Sequence, residues 1–471
     1  MPAQPRGENL ARRDSATGLT RELWREGVPV ASMRSAPVHN AYGRWHLCPV
    51  ERQESRAGQI GIAVALTVVI GASVILTTAR NSDAIPAFAR KYNADCAMCH
   101  FPVIPRLNNF GQMYRRAGYR TPAEYNKDQE LTNVSNFLSA RIKTQFSYEN
   151  NQGTVERTQF TFPDLSLFYA GALSRNFSAW IHASSNNSTN VDFHGHIMGN
   201  WGTADNMFMV RIGQMHMLEQ EGVGGFDRPT SININPVHTL ALTSTNTFPG
   251  GSAMQYNFDL RQKGIEFAYI HGPGKLAFQI SNGLNQTGSG TANTGDIDPQ
   301  KDYMVYYEHL LDDIASGFTL FYYNGTTHGT VTPTGTTGAP TSISNEFNYY
   351  RYGFNLSKWF PVTGLGFLEV QGGFVRSYDN NPANVGPDVQ GNAYYVESQQ
   401  YLTGPELTFY ERYSWIDFNA PQKNSARKDY TLGVVTPLQT WLRVSAEYTY
   451  TDNRFTSLTG HMGLMEVQAN W

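Results

Sequence analysis

Alternation of apolar and polar residues with a period of two is the feature that most limits how this chain can fold. It recurs from Asn133 to Trp471 in stretches of about ten residues, and no long helical period interrupts it. The stretches at 350–356 and 368–374 follow it, and a third shows it most clearly, with Leu442, Val444, Ala446, Tyr448 and Tyr450 on one face and Arg443, Ser445, Glu447 and Thr449 on the other. The pattern predicts β-strands with one apolar face and one polar face that contacts water.

Composition narrows the kind of β-protein. Only 16% of the 471 residues are charged, against about 25% in soluble domains, and 13% are aromatic. The mean hydropathy of -0.41 excludes a bundle of apolar membrane helices, and a net charge of -3 gives no reason to expect a nucleic-acid partner. Scarce charges beside many aromatics are typical of barrels that place one face in lipid.

We therefore predict an all-β fold, a transmembrane antiparallel β-barrel over residues 133–471, porin-like and set in outer-membrane lipid. About sixteen strands fit the sequence, and fourteen or eighteen are also compatible, because loops such as 325–339 blur the boundaries. The last alternating strand ends on Trp471, which resembles the recognition signal of outer-membrane proteins. A soluble periplasmic β-sandwich would also alternate and remains an alternative.

The N-terminal part of the sequence points to export. Residues 60–79 carry no charge over twenty positions, enough for a membrane-spanning helix or a long signal-peptide core. Since Ser82-Asp83-Ala84 provides a small-residue cleavage site, we expect 58–84 to be a Sec signal peptide or, alternatively, an N-terminal anchor. Residues 1–57 are a leader that fits a start codon assigned too early, with Met33 as a later candidate.

A short motif carries the chemistry. Cys96-Ala97-Met98-Cys99-His100 has the C-x-x-C-H spacing of a c-type haem attachment site. Two thiols attach to the two vinyl groups of one haem, and the adjacent imidazole binds the iron as the proximal axial ligand. A zinc site would need a second Cys or His pair, and a thioredoxin-type dithiol would lie in a βαβ unit. We predict one covalent haem c on Cys96, Cys99 and His100.

The motif lies in a short, mostly helical segment, residues 85–132. Residues 113–120 predict a short helix that ends at Gly118. Too few residues separate His100 from the first strand to enclose a haem in a separate core. Residues 85–120 carry six Lys or Arg and one acid, whereas residues 121–471 carry 20 Lys or Arg and 31 acids. We expect the basic segment to dock against the acidic barrel, since the haem also needs cover.

The distal iron ligand is open on sequence grounds. Methionine on the short helix and inward-facing Met or His side chains of two strands are candidates, although each is also an ordinary packing residue. The candidates are Met113, His182, Met207, Met209 and Met215. The alternative is a five-coordinate iron, or an iron that binds water in the distal position.

The haem region resembles a known family, the outer-membrane cytochrome–porin fusions, which include iron-oxidising cytochromes of Gram-negative bacteria. The resemblance rests on Phe88–Tyr92, Cys96–His100, Pro105–Gly111 and Gly118–Arg120. It implies electron transfer between an extracellular donor or acceptor, with Fe(II) favoured, and a periplasmic c-type cytochrome or other redox carrier. If Fe(II) is the donor, the implied activity is that of an Fe(II):cytochrome c oxidoreductase. The alternative is a porin-like channel whose haem segment acts as a plug or redox sensor.

Overall fold

A computed structural model describes residues 87–471 apart from 129–132, 152–155, 186–190, 217–229, 234–236, 238–242, 248–252, 258–260, 284–299, 313, 332–342, 381–387, 421–424 and 455–457. The expectations for residues 1–57 and 58–84 lie outside the described residues and stay predictions. Among the described residues, no helix combines the length and the apolar character needed to cross a bilayer.

Two short helices precede the strands. Helix α1 spans Ala87–Tyr92 and α2 spans Asn109–Arg116, with 3-10 turns at Cys96–Met98 and Val134–Phe137. The expected helix end is confirmed, because the backbone turns left-handed at Gly118 (φ 70°). A Cβ on Gly118 would approach Ser178 Oγ to 2.7 Å. The helix begins four residues before the predicted start at Met113, because Asn108 caps it by accepting a hydrogen bond from Gly111 N.

Sixteen antiparallel strands close into one barrel, which confirms the predicted fold class and strand number. Consecutive strands pair around the wall, the strand Arg261–His271 pairs with Asn206–His216, and the last strand closes the sheet on the first. Two short strands, Thr243–Thr247 and Ala253–Asn257, form a separate pair within the connection between those two wall strands. The strands are β1 Leu138–Asn151, β2 Arg157–Ala172, β3 Phe177–Ser185, β4 Asp192–Gly202, β5 Asn206–His216, β6 Thr243–Thr247, β7 Ala253–Asn257, β8 Arg261–His271, β9 Gly274–Ser281, β10 Asp302–Leu310, β11 Gly317–Val331, β12 Ile343–Val362, β13 Gly366–Asp379, β14 Val389–Leu402, β15 Leu407–Asp417, β16 Ala426–Gln439, β17 Leu442–Asn453 and β18 Leu458–Asn470.

The alternation seen in the sequence separates two environments. On β17, Arg443, Ser445 and Glu447 are buried in the lumen, whereas Tyr448 is half exposed on the outer surface. The outer surface of the described strands carries a broad apolar and aromatic belt, for example Phe160, Leu167, Phe193, Ile212, Leu276, Leu320, Phe354, Leu356, Val396, Leu432 and Val467. An apolar surface of this extent on a closed barrel fits a lipid surround.

The two ends of the barrel differ. At one end, adjacent strands are joined by turns of two to six residues, such as 272–273 and 311–316, and at the other end the connections reach from 217 to 260. The short-turn end holds the helical segment. There Asn109 N donates to Ile314 O at 2.8 Å, and Arg116 Nη1 donates to Pro273 O at 3.1 Å. The segment therefore enters the barrel from the short-turn end.

A charge placed on the belt tests the lipid assignment. Leu432 is 57% exposed at the middle of β16, and Leu432→Arg should lower the free energy of unfolding in phospholipid vesicles by about 2–4 kcal/mol. Val362→Arg, at the end of β12, is the matched control, with an expected cost of about 0–1 kcal/mol. Urea titration of the vesicle-inserted protein measures both. Equal, small costs would be typical of a water-exposed surface and would contradict the lipid assignment.

Candidate functional site

The C-x-x-C-H motif forms a tight loop. Asp95 caps the 3-10 turn at Cys96–Met98 by accepting a hydrogen bond from Ala97 N, and His100 N donates to Cys96 O at 2.9 Å. The turn brings both cysteines and His100 to the border of one cavity. This is the clustering that thioether attachment and axial ligation of a single haem require.

Asn108 braces this loop from the other side. Its Nδ2 donates to Ala97 O at 3.1 Å and to Met98 O at 3.0 Å, while its Oδ1 caps α2. Gly111 allows the helix to pass close behind, because a Cβ there would come within 2.3 Å of Cys99 O. One side chain and one glycine thus fix α2 against the motif.

His100 is oriented for metal ligation through one ring nitrogen. Its Nδ1 lies 3.0 Å from Arg106 O. Since a carbonyl oxygen only accepts, Nδ1 carries the proton of the neutral ring and Nε2 carries the lone pair. A backbone carbonyl that holds Nδ1–H in this way is a common support for a metal-bound histidine.

The cysteines differ from redox-enzyme dithiols. Both are half-buried, and burial raises the pKa of each thiol to about 11. Cys96 Sγ also donates to Thr440 O at 3.1 Å in the β16–β17 turn. Catalytic dithiols instead have a lowered thiol pKa. The environment therefore suits cysteines that are held in place better than cysteines that exchange disulfides.

The cavity has a volume of about 400 Å³, within the range of cofactor-sized sites. The helical segment forms one side, with Phe88, Leu107 and Tyr114 among its apolar contributors. Strands β1, β2, β3, β17 and β18 form the opposite side, including Phe168 and Trp180. A space that is apolar in most of its lining, with both thiols and an oriented imidazole at its edge, fits a covalently attached haem.

Residues 230–233 of the β5–β8 connection are hydrogen-bonded to the barrel lumen and contribute to the lining of the cavity. Ser231 and Ile232 line the cavity. The carboxylate of Glu447 accepts hydrogen bonds from Ile232 N at 2.9 Å and from Asn233 Nδ2 at 2.8 Å. Arg412 Nη1 donates to Ser231 Oγ at 3.1 Å, so strands β15 and β17 both hold the segment.

Buried ion pairs fix the helical segment, residues 87–128, which we call the plug. Arg106 forms a salt bridge with Glu369 of β13 and also donates to Ser357 Oγ at 3.1 Å. Arg116 pairs with Glu308 of β10 at 3.0 Å. All four charged groups are buried. The predicted attraction between a basic segment and an acidic barrel therefore takes the form of specific pairs inside the lumen.

Aromatic packing adds a second anchor to the plug. Phe101, directly after His100, makes edge-to-face contacts with Trp359, Phe367 and Tyr401 at centroid distances of 4.8, 5.2 and 5.2 Å. These three rings come from β12, β13 and β14, so the motif is held against the wall next to the Arg106 pair.

The five candidates for the distal ligand differ in whether they border the described cavity. His182 borders it. Its Nε2 lies 2.7 Å from Ser166 Oγ and its Nδ1 lies 3.0 Å from His194 Nε2, so iron ligation would have to displace a hydrogen-bond partner.

The four methionine candidates lie elsewhere. Met207 and Met209 pack in a separate cluster around Ala117, and Met215 is buried without bordering the described cavity. Met113 is 38% exposed on α2. All five candidates remain sequence predictions, and none of the four candidate methionines is part of the described cavity wall.

Sequence reasoning missed several residues of the site. Arg141, Lys143 and Arg443 line the cavity, although the sequence shows only that they fall on inward faces. Ser231 and Ile232 come from a connection without a recognisable motif. Among the described residues, no group of three or more His, Cys, Asp or Glu side chains is arranged to hold a metal ion.

The architecture is a closed antiparallel sheet of sixteen strands, with short turns at one end and longer connections at the other. The fold is that of an outer-membrane porin. OprB of Pseudomonas putida matches with a TM-score of 0.51 and 10% identity, over 71% of this chain and 94% of the solved chain.

Two further porins show the same coverage of this chain. An anion-selective porin of Comamonas acidovorans has 12% identity, 98% coverage of its own chain and a TM-score of 0.45. A loop-deletion variant of OmpT from Vibrio cholerae has 11% identity, 98% coverage and a TM-score of 0.44. No family model and no curated protein matches the sequence. At these identities the likeness extends to the fold alone.

Removing one partner of the plug's ion pair should release the plug. Glu369→Ala leaves Arg106 buried without its counter-charge, at a cost of about 3–5 kcal/mol. Replacing both partners, as Arg106→Met with Glu369→Leu, should restore most of the stability, because no uncompensated charge remains. Denaturant unfolding together with limited proteolysis of the plug measures both variants. If the double variant is as unstable as the single one, the pair does not act through charge compensation.

Proposed function

We propose that this chain is an outer-membrane porin-type barrel that carries one haem c in its lumen and passes electrons through the barrel. The observation that carries the proposal is the cavity itself, where Cys96, Cys99 and His100 face a wall built from barrel strands. The export features at 58–84 and the apolar belt support placement in the outer membrane of a Gram-negative cell after transport by the Sec route.

The residues of the site have distinct roles in this proposal. Cys96 and Cys99 hold the haem covalently, and His100 binds the iron through Nε2 while Arg106 O keeps the ring oriented. When bound, a haem c supplies one-electron exchange between its ferric and ferrous states. The apolar rings of Phe168 and Trp180 line the cavity and would pack against a bound haem.

The two ends of the barrel indicate on which side of the membrane the haem motif lies in this proposal. Single-chain bacterial barrels have short turns on the periplasmic side and long loops outside. Since the plug enters at the short-turn end, the motif faces the periplasm, where a c-type cytochrome or another redox carrier is the expected partner. An extracellular donor reaches the site from the long-loop end, across the segment that contains Ser231 and Ile232.

Ferrous iron is the donor we favour, and an Fe(II):cytochrome c oxidoreductase activity would follow from it. The support is the acidic balance of residues 121–471, with 31 acids and 20 Lys or Arg, because carboxylates attract hard cations.

A second candidate function is a porin-like channel in which the plug gates flow or senses redox state. The porin fold and the polar lumen favour it. The buried pairs of Arg106 and Arg116 oppose it, because they fix the plug inside the lumen that a channel would keep open.

The haem assignment has a direct test. The double variant Cys96→Ala with Cys99→Ala should contain no covalent haem, whereas His100→Ala should keep the thioethers and change the absorption spectrum. Haem staining after denaturing electrophoresis and the pyridine haemochrome spectrum measure both effects. Covalent haem in the double variant would show that the motif is not the attachment site.

Liposomes separate the two candidate functions. Purified protein in vesicles with an enclosed electron acceptor should reduce that acceptor when Fe(II) is added outside, and single-channel conductance should be small. Glu369→Ala, which loosens the plug, should raise conductance. Large wild-type conductance without reduction of the enclosed acceptor would favour the channel. Reduction by another donor but not by Fe(II) would exclude iron as the donor and leave electron transfer in place.

A further inference from the structure

Positive side chains are concentrated on the lining of the haem-motif cavity. Arg115, Arg141, Lys143 and Arg443 border it, whereas Asp95 is the acid among the described lining residues. A mostly apolar cavity that collects four cations is suited to a ligand that is largely apolar and carries negative groups.

Three of the cations belong to one continuous piece of the barrel wall. Lys143 of β1 lies opposite Gln468 of β18, and Gln468 lies opposite Arg443 of β17, so the three side chains form one row across adjacent strands. Two register positions further towards the short-turn end, on the same face, Arg141 lies opposite Asn470. All five side chains border the cavity, and each can donate hydrogen bonds.

The charges of this wall are not balanced within it. Glu466 is contacted by two cations, Arg443 Nη2 at 2.9 Å and Lys143 Nζ at 3.7 Å. Gln145 Nε2 donates to the same carboxylate at 2.7 Å. Arg141 forms its own salt bridge with Asp164. Two cations facing one carboxylate leave an excess positive charge in a wall whose side chains are buried or half-buried, and a bound anion would stabilise it.

We propose that the row Lys143–Gln468–Arg443, together with Arg141, binds the two propionate carboxylates of the haem. This inference rests on the proposed haem attachment. The row lies on the barrel wall beside the plug, since Arg443 Nη1 also donates to Ile104 O at 2.7 Å. The thioethers would hold one edge of the haem, and the row would hold its acidic edge. The barrel thus takes part in haem orientation and in setting the haem potential.

Lys143→Met is the informative change, because it removes one charge while the Arg443–Glu466 pair stays intact. Loss of a neighbouring positive charge favours the ferric state, so the midpoint potential should fall by about 59 mV, a tenfold change in the one-electron equilibrium. Lys143→Arg keeps the positive charge and should therefore keep the midpoint potential of the wild type. The propionate vibrations in the resonance Raman spectrum should shift in Lys143→Met alone.

The lumen offers a matched control. Glu266 is also contacted by two cations, Arg211 at 2.7 Å and Lys275 at 3.3 Å, and neither borders the cavity. Lys275→Met should therefore leave the potential and the propionate vibrations as in the wild type.

The outcomes distinguish this inference from the proposed function. One covalent haem per chain must first be found in all variants by the haemochrome assay, and its absence from the wild type overturns both proposals. If haem-loaded Lys143→Met and Lys275→Met have the same midpoint potential and the same propionate vibrations, the propionate site alone is overturned.

Discussion

Closure of the sheet is the constraint on which the rest of the structure depends. When β18 pairs with β1, every strand has two neighbours, and no edge is left to seek a partner. Closure also fixes the direction of each side chain, because alternate residues must point into the lumen. The carboxylates of Glu308 and Glu369 are thereby forced into a confined space where they need counter-charges. The plug supplies them through Arg116 and Arg106, so the plug and the barrel depend on each other.

This dependence explains how so short a segment can be ordered. The plug has a few aromatic contacts of its own, such as Phe88 against Tyr114 at 5.0 Å, and its buried Arg106, Arg116 and Arg120 donate hydrogen bonds to barrel residues. Arg106, Arg115, Arg116 and Arg120 are buried, whereas Arg90 is half-buried and residues such as Asn93, Asp95, Lys127 and Asp128 are exposed. Most of the positive charge of the plug is therefore buried in the structure.

Sequence reasoning reached the barrel and the motif because both depend on local spacing. The alternation at 442–450 and the C-x-x-C-H pattern are periodic or contiguous, so they are readable without neighbours. The Lys143–Gln468–Arg443 row was not predictable, since it depends on the register of three strands, two of which are separated by more than 300 positions in the chain. The inward segment at Ser231 depends on hydrogen bonds to Glu447 and Arg412, and nothing in its own residues marks it. The distal ligand could not be predicted for a similar reason. The alternation shows that a Met or His faces inwards, but not whether it lies beside the cavity or far from it.

The arrangement of the cavity limits what kind of donor can serve the proposed function. The structure has one C-x-x-C-H loop, at the short-turn end, and the barrel wall surrounds it. A donor at the long-loop end is therefore separated from the cavity by the length of the lumen and by the segment at Ser231 and Ile232. A large or solid donor would be held at the loops, whereas a small ion can enter a polar lumen. The hydrogen bonds that Glu447 accepts from the segment, and the one that Arg412 donates to it, would thus lie between such a donor and a bound haem.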